Sequence, residues 1–355
     1  MSLTDYRTLG RSGLRVSPMV LGTMTFGTDW GWGADEAEAR RILDTYLDRG
    51  GNFVDTANFY TGGSSEALLG RFMAGRRDRV VLATKYSLNL HPGDPNGGGN
   101  HRKSLVRGVE ASLKRLATDH IDLMYLHIWD GTTPVDEVMR ALDDLVRAGK
   151  LLYVGISDTP AWQVARMQTL ADWRGWSPLI ALQIEYSLVQ RTVERDLVPM
   201  ADALGLGVTA WSPLGMGVLA GKYRRDALAA GDRDAIGVTG TRQQVALTHD
   251  MLSERNLAIA DTVRDVAQQL GRSSAQVALA WLLQRPGCGV MPIVGARTLA
   301  QFEDNLGALS LRLSDAQLQQ LDVASAVSLG FPHDFMRLAV PRNNIFGGTQ
   351  VRVVG

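Results

Sequence analysis

An internal disulfide is excluded at the outset, because the 355 residues include a single cysteine, Cys288. The same shortage removes any multi-cysteine metal site. Charge of one sign is missing too. Lys+Arg and Asp+Glu stand at 37 each, so nothing points to nucleic acid or an anionic membrane surface as a partner. No apolar run is long enough to span a bilayer, and the start, "MSLTDYRTLGRSG", has no signal-peptide core. A cytoplasmic protein in a reducing compartment is expected. His91, His101, His120, His127, His249 and His333 show no metal-ligand spacing, so no metal is expected. No G-x-G-x-x-G follows the first strand pattern, which argues against a doubly wound dinucleotide fold.

What is present is a repeat of short β-branched runs and longer amphipathic stretches. The runs are "MVLGT" (19–23), "FVDTA" (53–57), "VVLATK" (80–85), "IDLMYLH" (121–127), "LLYVGIS" (151–157), "IALQIEYS" (180–187), "GVTAWSP" (207–213) and "VMPIVGA" (290–296). Nearly continuous apolar strands suit a parallel sheet covered on both faces. Between them, Ala39, Ile42, Leu43 and Tyr46 show the helical spacing. Eight such units predict a single-domain α/β fold over 1–355, a (β/α)8 TIM barrel, with an open doubly wound sheet as the alternative. "YRTLGRSGLRVS" predicts a hairpin ahead of the barrel, and two helices, one more than the repeat needs, precede the eighth strand. The loop 87–101 and the polar segment 222–251 follow strands, so they belong to the catalytic face. Cys288 precedes the eighth strand and is expected to be inert on the other face.

Strand after strand ends on a polar or special group: Asp55, Lys85, His127, Ser157-Asp158, Trp211-Ser212, then Gly295 and Arg297, with Gln183 and Glu185 in the sixth. In a barrel these converge on one rim. Tyr60 lies five residues past Asp55. Gly62-Gly63 turn the chain back, and "SSE" (64–66) starts a helix with capping side chains. A tyrosine titrates near ~10, and an adjacent ammonium lowers that by roughly 1–3 units. Lys85, its charge held by Asp55, is expected to do so, while His127 polarises a carbonyl oxygen. Such a set suits carbonyl reduction, for which a nicotinamide cofactor must bring the hydride.

These residues resemble the aldo-keto reductase family over essentially the whole chain. The matching segments are "TLGRSGLRVSPMVLGTMTFG", "NFVDTANFYTGGSSEALLG", "VLATK", "IDLMYLHIWD", "VGISD", "LQIEYSLVQR", "AWSPLGMGVLAGKY" and "PIVGARTLAQFEDNLGAL". The likeness is nearest to the branch of bacterial general reductases and potassium-channel β subunits. It implies a barrel binding extended NADP(H), with a tetrad on Asp55, Tyr60, Lys85 and His127. Tyr60 is then the acid in reduction and the base in oxidation. Ser157, Asp158 and Gln183 fall where the nicotinamide carboxamide is held, and Trp211 where a ring stacks on it. Ser212, Leu214, Gly215, Gly217 and Lys222 match the pyrophosphate loop. Arg297, Gln301 and Asn305 match the adenosine end, where an arginine suits a 2′-phosphate. Gly22, Thr23, Met24 and Gly295, at strand ends, complete the expected cofactor residues together with Asp55.

Asp158 stands where the family usually has asparagine, so it offers only acceptors when ionised. The alternative is that it turns to the helix start at Thr159-Pro160. Trp30, Trp32, Tyr86 and Trp129 are expected on the walls of a pocket for a small carbonyl compound. The tail with Phe331, Phe335 and Phe346 is a pocket, homo-oligomer or packing element. Two other functions remain open: a cofactor-binding regulatory subunit with little turnover, and net oxidation of an alcohol or sugar.

Overall fold

In the computed structural model, which describes residues 1–223, 251–287, 289–349 and 351, the chain begins with the expected hairpin. Strand β1 (Arg7–Thr8) pairs antiparallel with β2 (Arg15–Val16). Gly10 takes a left-handed φ of 55° at the turn, and a Cβ there would sit 2.4 Å from the Ile180 carbonyl oxygen. Only glycine fits so close an approach. The Arg11 amide donates to the Gly205 carbonyl at 2.8 Å, and Leu9 and Val16 join the apolar filling of the barrel with Val20, Phe53 and Leu123. The hairpin thus plugs one end of the barrel.

Eight parallel strands close that barrel: β3 (Val20–Gly22), β4 (Phe53–Asp55), β5 (Val81–Tyr86), β6 (Ile121–Leu126), β7 (Leu151–Ser157), β8 (Leu179–Glu185), β9 (Gly207–Trp211) and β10 (Met291–Val294), with β10 pairing back onto β3. The open-sheet alternative is thereby set aside. All residues of β4, β5 and β6 are buried, which is why they read as nearly continuous apolar runs. Helices α1 (Glu36–Asp48), α2 (Ser64–Phe72), α3 (Arg102–Leu116), α4 (Val135–Arg147), α5 (Ala161–Arg174) and α6 (Leu197–Leu204) follow β3 to β8 in turn. The buried face of α1 is Ala39, Ile42, Leu43, Tyr46 and Leu47, and Tyr46 Oη donates to the Met19 carbonyl at 2.8 Å.

Both helices expected before the last strand are present, α7 (Glu254–Leu270) and α8 (Ser274–Leu283). Helix α9 (Leu299–Leu306) and α10 (Asp315–Ala324) follow it. The tail forms α11 (His333–Arg337) and α12 (Ala339–Phe346). His333 Nε2 lies 3.0 Å from Asp196 Oδ1, while Phe331 and Phe335 stay exposed. Cys288, His249 and most of the polar segment 222–251 lie outside the described residues.

One local expectation fails. The serines of "SSE" do not cap α2. Its N-cap is Gly63, at φ 100°, and the Ser65 amide donates instead to Thr61 Oγ1 at 3.0 Å. The Ser65 hydroxyl turns inward to the Thr23 carbonyl at 2.8 Å.

Candidate active site

Alternation along β5 decides which side chains enter the barrel. Lys85 points in and is fully buried, so its neighbour Tyr86 points out. Tyr86 packs with Leu105 and Val109 of α3, and its hydroxyl donates to the Asn100 carbonyl at 3.2 Å. It is therefore a core residue and not the pocket wall expected of it.

Lys85 Nζ donates to Asp55 Oδ2 at 2.6 Å, to the Thr56 carbonyl at 2.8 Å and to Tyr60 Oη at 3.1 Å. All three ammonium donors are used. Gln183 Nε2 donates to the other Asp55 oxygen at 2.9 Å, so one of its amide hydrogens is already committed to this network. Burial works against the Lys85 ammonium, but Asp55 and Tyr60 outweigh it and the pKa rises. The His127 ring stands edge-on to Tyr60, with centroids 6.0 Å apart. Burial, helped by the Lys85 charge, holds its pKa well below the usual value, so the imidazole is neutral.

The expected lowering of the Tyr60 pKa is not met. Burial of the half-buried phenol pushes its pKa up; Lys85 pulls it down, and the net direction is upward. The reason lies in the pairing: Lys85 is already neutralised by Asp55, whose own charge opposes phenolate. Tyr60 is thus a neutral phenol that can give a proton, beside a neutral imidazole that can give a hydrogen bond.

The other side of the mouth is less satisfied. Asp158 caps no helix; its Oδ1 accepts from Trp211 Nε1 at 3.0 Å. Burial pushes its carboxyl up to about 6, and burial and the Asp158 charge push Glu185 up to about 7. Glu185 Oε1 is buried without a partner. Ser157 Oγ is buried with no well-formed hydrogen bond, although it helps to hold the Asp158 carboxyl down. Glu185 was visible in the sequence as a strand residue two positions past Gln183, and that spacing puts both on one face. Asn58, whose Oδ1 is also a buried orphan, gave no such signal.

Further round the rim, Ser212 Oγ accepts from the Met216 amide at 3.1 Å, and Gly215 and Gly217 take φ of 53° and 102° in the turn after β9. The Lys222 stem runs beside Gly217. Leu214 is half-buried in the same turn. At β3, the Thr23 amide donates to the Asp55 carbonyl at 2.9 Å, with half-buried Met24 next to it. A side chain on Gly22 would meet Ile293 at 2.7 Å, and Gly295 backs onto the Gly22 carbonyl. Exposed Arg297 lies just before α9, its amide donating to Gln301 Oε1 at 3.2 Å, while Asn305 is buried. These residues line a continuous arc, since β9, β10 and β3 are neighbours. Trp30 packs on Trp32 at 5.7 Å and on Phe59 at 6.0 Å, and the Trp129 amide donates to the Asp158 carbonyl at 3.3 Å.

The sequence model of the Aldo/keto reductase family matches residues 18–326. The chain belongs to the aldo/keto reductase family. This aldo/keto reductase is 38% identical over 337 residues to the norsolorinic acid reductase of Aspergillus flavus, covering 92% of this chain and 82% of that one. It is 40% identical over 330 residues to the uncharacterized oxidoreductase YrpG of Bacillus subtilis, covering 90% and 95%. The aryl-alcohol dehydrogenase [NADP(+)] of Phanerodontia chrysosporium is 37% identical over 336 residues, covering 90% and 86%. The family and these relatives make the aldo/keto reductase an oxidoreductase whose general chemistry is carbonyl reduction. No helix among its described residues is long and apolar enough to cross a membrane.

Proposed function

We propose that the chain is an NADPH-dependent reductase of aldehydes and ketones with Tyr60 as the proton donor. One observation carries this reading: Lys85 Nζ bridges Asp55 and Tyr60 beneath an open mouth, with a neutral His127 at its edge. Tyr60 gives its proton to the carbonyl oxygen as charge grows there. His127 donates a hydrogen bond to the same oxygen, and Lys85 steadies the phenolate left behind.

The residues present fit a nicotinamide dinucleotide. The buried, unpartnered Ser157 Oγ suits a carboxamide, together with Asp158 and Gln183. Trp211 would lie under the ring, and Ser212, Leu214, Gly215, Gly217 and Lys222 against the pyrophosphate. Gly22, Thr23, Met24 and Gly295 would line the floor beside Asp55. Arg297, Gln301 and Asn305 would take the adenosine end, with Arg297 favouring a 2′-phosphate. When bound, the cofactor supplies the hydride. The relative named for NADP(+) supports the phosphorylated form.

The relative named for aryl alcohols favours a ring-bearing substrate. The half-buried Trp30 and Trp129 suit such a ring. The aryl-alcohol dehydrogenase name also favours a second reading, oxidation by the same residues with Tyr60 as base. We take the chain as one cytoplasmic domain acting on a small molecule. Purified protein given NADPH and aromatic aldehydes should consume the cofactor. Tyr60→Phe should cut that rate by about 10²–10⁴ while still binding NADPH. A Tyr60→Phe protein as fast as the parent would refute the proton-donor assignment.

A further inference from the structure

Asp158 brings a charge to a position where the resemblance puts a neutral amide. Its backbone is left-handed, at φ 37°, a conformation a non-glycine residue keeps only where its surroundings hold it. They do: its amide donates to the Gln183 carbonyl and its own carbonyl accepts from Trp129, both at 3.3 Å. Its carboxylate takes the Trp211 indole hydrogen at 3.0 Å. Glu185 stands in register with Trp211 on the neighbouring strand and points an unpartnered oxygen into the same place. The charged or titratable groups that act on Asp158 or feel it are Lys85, Tyr60 and Glu185. The only cation among them, Lys85, is engaged by Asp55. This part of the mouth is therefore acidic.

An indole whose N–H is bonded to a carboxylate has a more electron-rich face than one bonded to a neutral amide, and such a face attracts cations more strongly. A nicotinamide ring is cationic when oxidised and neutral when reduced. We propose that Asp158, backed by Glu185, makes the protein favour the oxidised nicotinamide over the reduced one, through its own charge and through the face of Trp211. The inference rests on the reading above that seats the nicotinamide on Trp211. It stabilises the product side of carbonyl reduction and slows release of NADP⁺.

The test is the ratio of the dissociation constants of NADPH and NADP⁺, measured by calorimetry on the full chain. Both forms share the adenosine and the 2′-phosphate, so the ratio isolates the ring. Unaltered protein should bind NADP⁺ more tightly. The preference should grow from about pH 5 to about pH 8, as carboxyls held up to about 6 and about 7 ionise. Asp158→Asn, which keeps an acceptor for Trp211, should cut the preference about fivefold at high pH by weakening NADP⁺ alone. Glu185→Gln should flatten much of the pH dependence. Equal weakening of both forms, or no change in either, would overturn the inference and leave Asp158 as a mere support. If neither form binds the unaltered protein, the nicotinamide reading falls and takes the inference with it. That result differs from binding of both without preference.

Discussion

Along the β4–β5 arc of the barrel mouth, Lys85 Nζ has three partners within 3.1 Å, and Asp55 uses both carboxylate oxygens. Along the β7–β8 arc, Ser157 Oγ and Glu185 Oε1 are buried with no hydrogen-bond partner, and two carboxyls crowd each other. The Lys85–Asp55–Tyr60 network of the first arc is complete in itself, although Asn58 Oδ1, just past β4, is buried without a partner. Its donors are aimed before any substrate arrives, which is how a site avoids reorganising at the moment of reaction. The second holds polar atoms that cost about 1–3 kcal/mol each while unsatisfied. Such a cost is tolerable where a ligand relieves it. On the proposed reading, one mouth thus divides into a half for chemistry and a half for binding.

The sharpest way to break this contrast is Lys85→Met. Removing the ammonium leaves the Asp55 carboxylate buried and unpaired, and breaking a buried pair costs about 3–5 kcal/mol. Chemical denaturation without cofactor should show that loss, and carbonyl reduction should collapse with it. A variant as stable as the parent would mean that Asp55 finds another cation or takes up a proton at little cost. The complete arc would then not be the rigid part of the mouth.

Glu185→Gln probes the other half and has the opposite sign. The folded protein raises the Glu185 carboxyl from 4.5 to about 7. A raised carboxyl favours the folded state while protonated, so its contribution is full below 4.5 and is lost as pH rises through about 7. Near pH 4 the amide and the protonated acid are alike, and stability should match the parent. Near pH 8 the parent carries an unpartnered charge, and Glu185→Gln should be more stable by about 1–3 kcal/mol after allowance for solvent screening. Urea melts at the two pH values read this directly. A variant less stable than the parent near pH 8 would mean that the Glu185 carboxylate has a partner.

The two halves were not equally legible in the sequence. The barrel follows from eight mostly apolar runs separated by helical patterns, because strands buried on both faces carry few polar residues. Asp55, Lys85 and His127 showed as polar ends on such runs. What the sequence could not show was the balance of terms on Tyr60. Its pKa direction depends on how far burial outweighs a Lys85 already neutralised by Asp55, and that is a matter of distances. The bond between Gln183 and Asp55 joins residues 128 positions apart and has no local signature. Thr61 rather than Ser64 or Ser65 serves α2 because Gly62 and Gly63 bend the chain back over it. Tyr86 is the exception, since alternation from an inward Lys85 already points it outward.

The smallest expected effect sharpens the contrast most. Ser157→Ala deletes a hydroxyl that is buried and makes no well-formed hydrogen bond, so beyond a weak pull on the Asp158 carboxyl it removes an unsatisfied group. Its apo stability should stay within about 0.5 kcal/mol of the parent, since Asp158 keeps its bond from the Trp211 indole. NADP(H) binding should nevertheless weaken by about 0.5–1.5 kcal/mol, the worth of one hydrogen bond, or roughly twofold to tenfold in Kd. A thermal melt and a cofactor titration on the same sample separate the two. If the melt drops as it would for a core substitution while the titration is unmoved, Ser157 is part of the scaffold. The β7–β8 arc would then be as complete without ligand as the β4–β5 arc, and its orphaned atoms would need another cause.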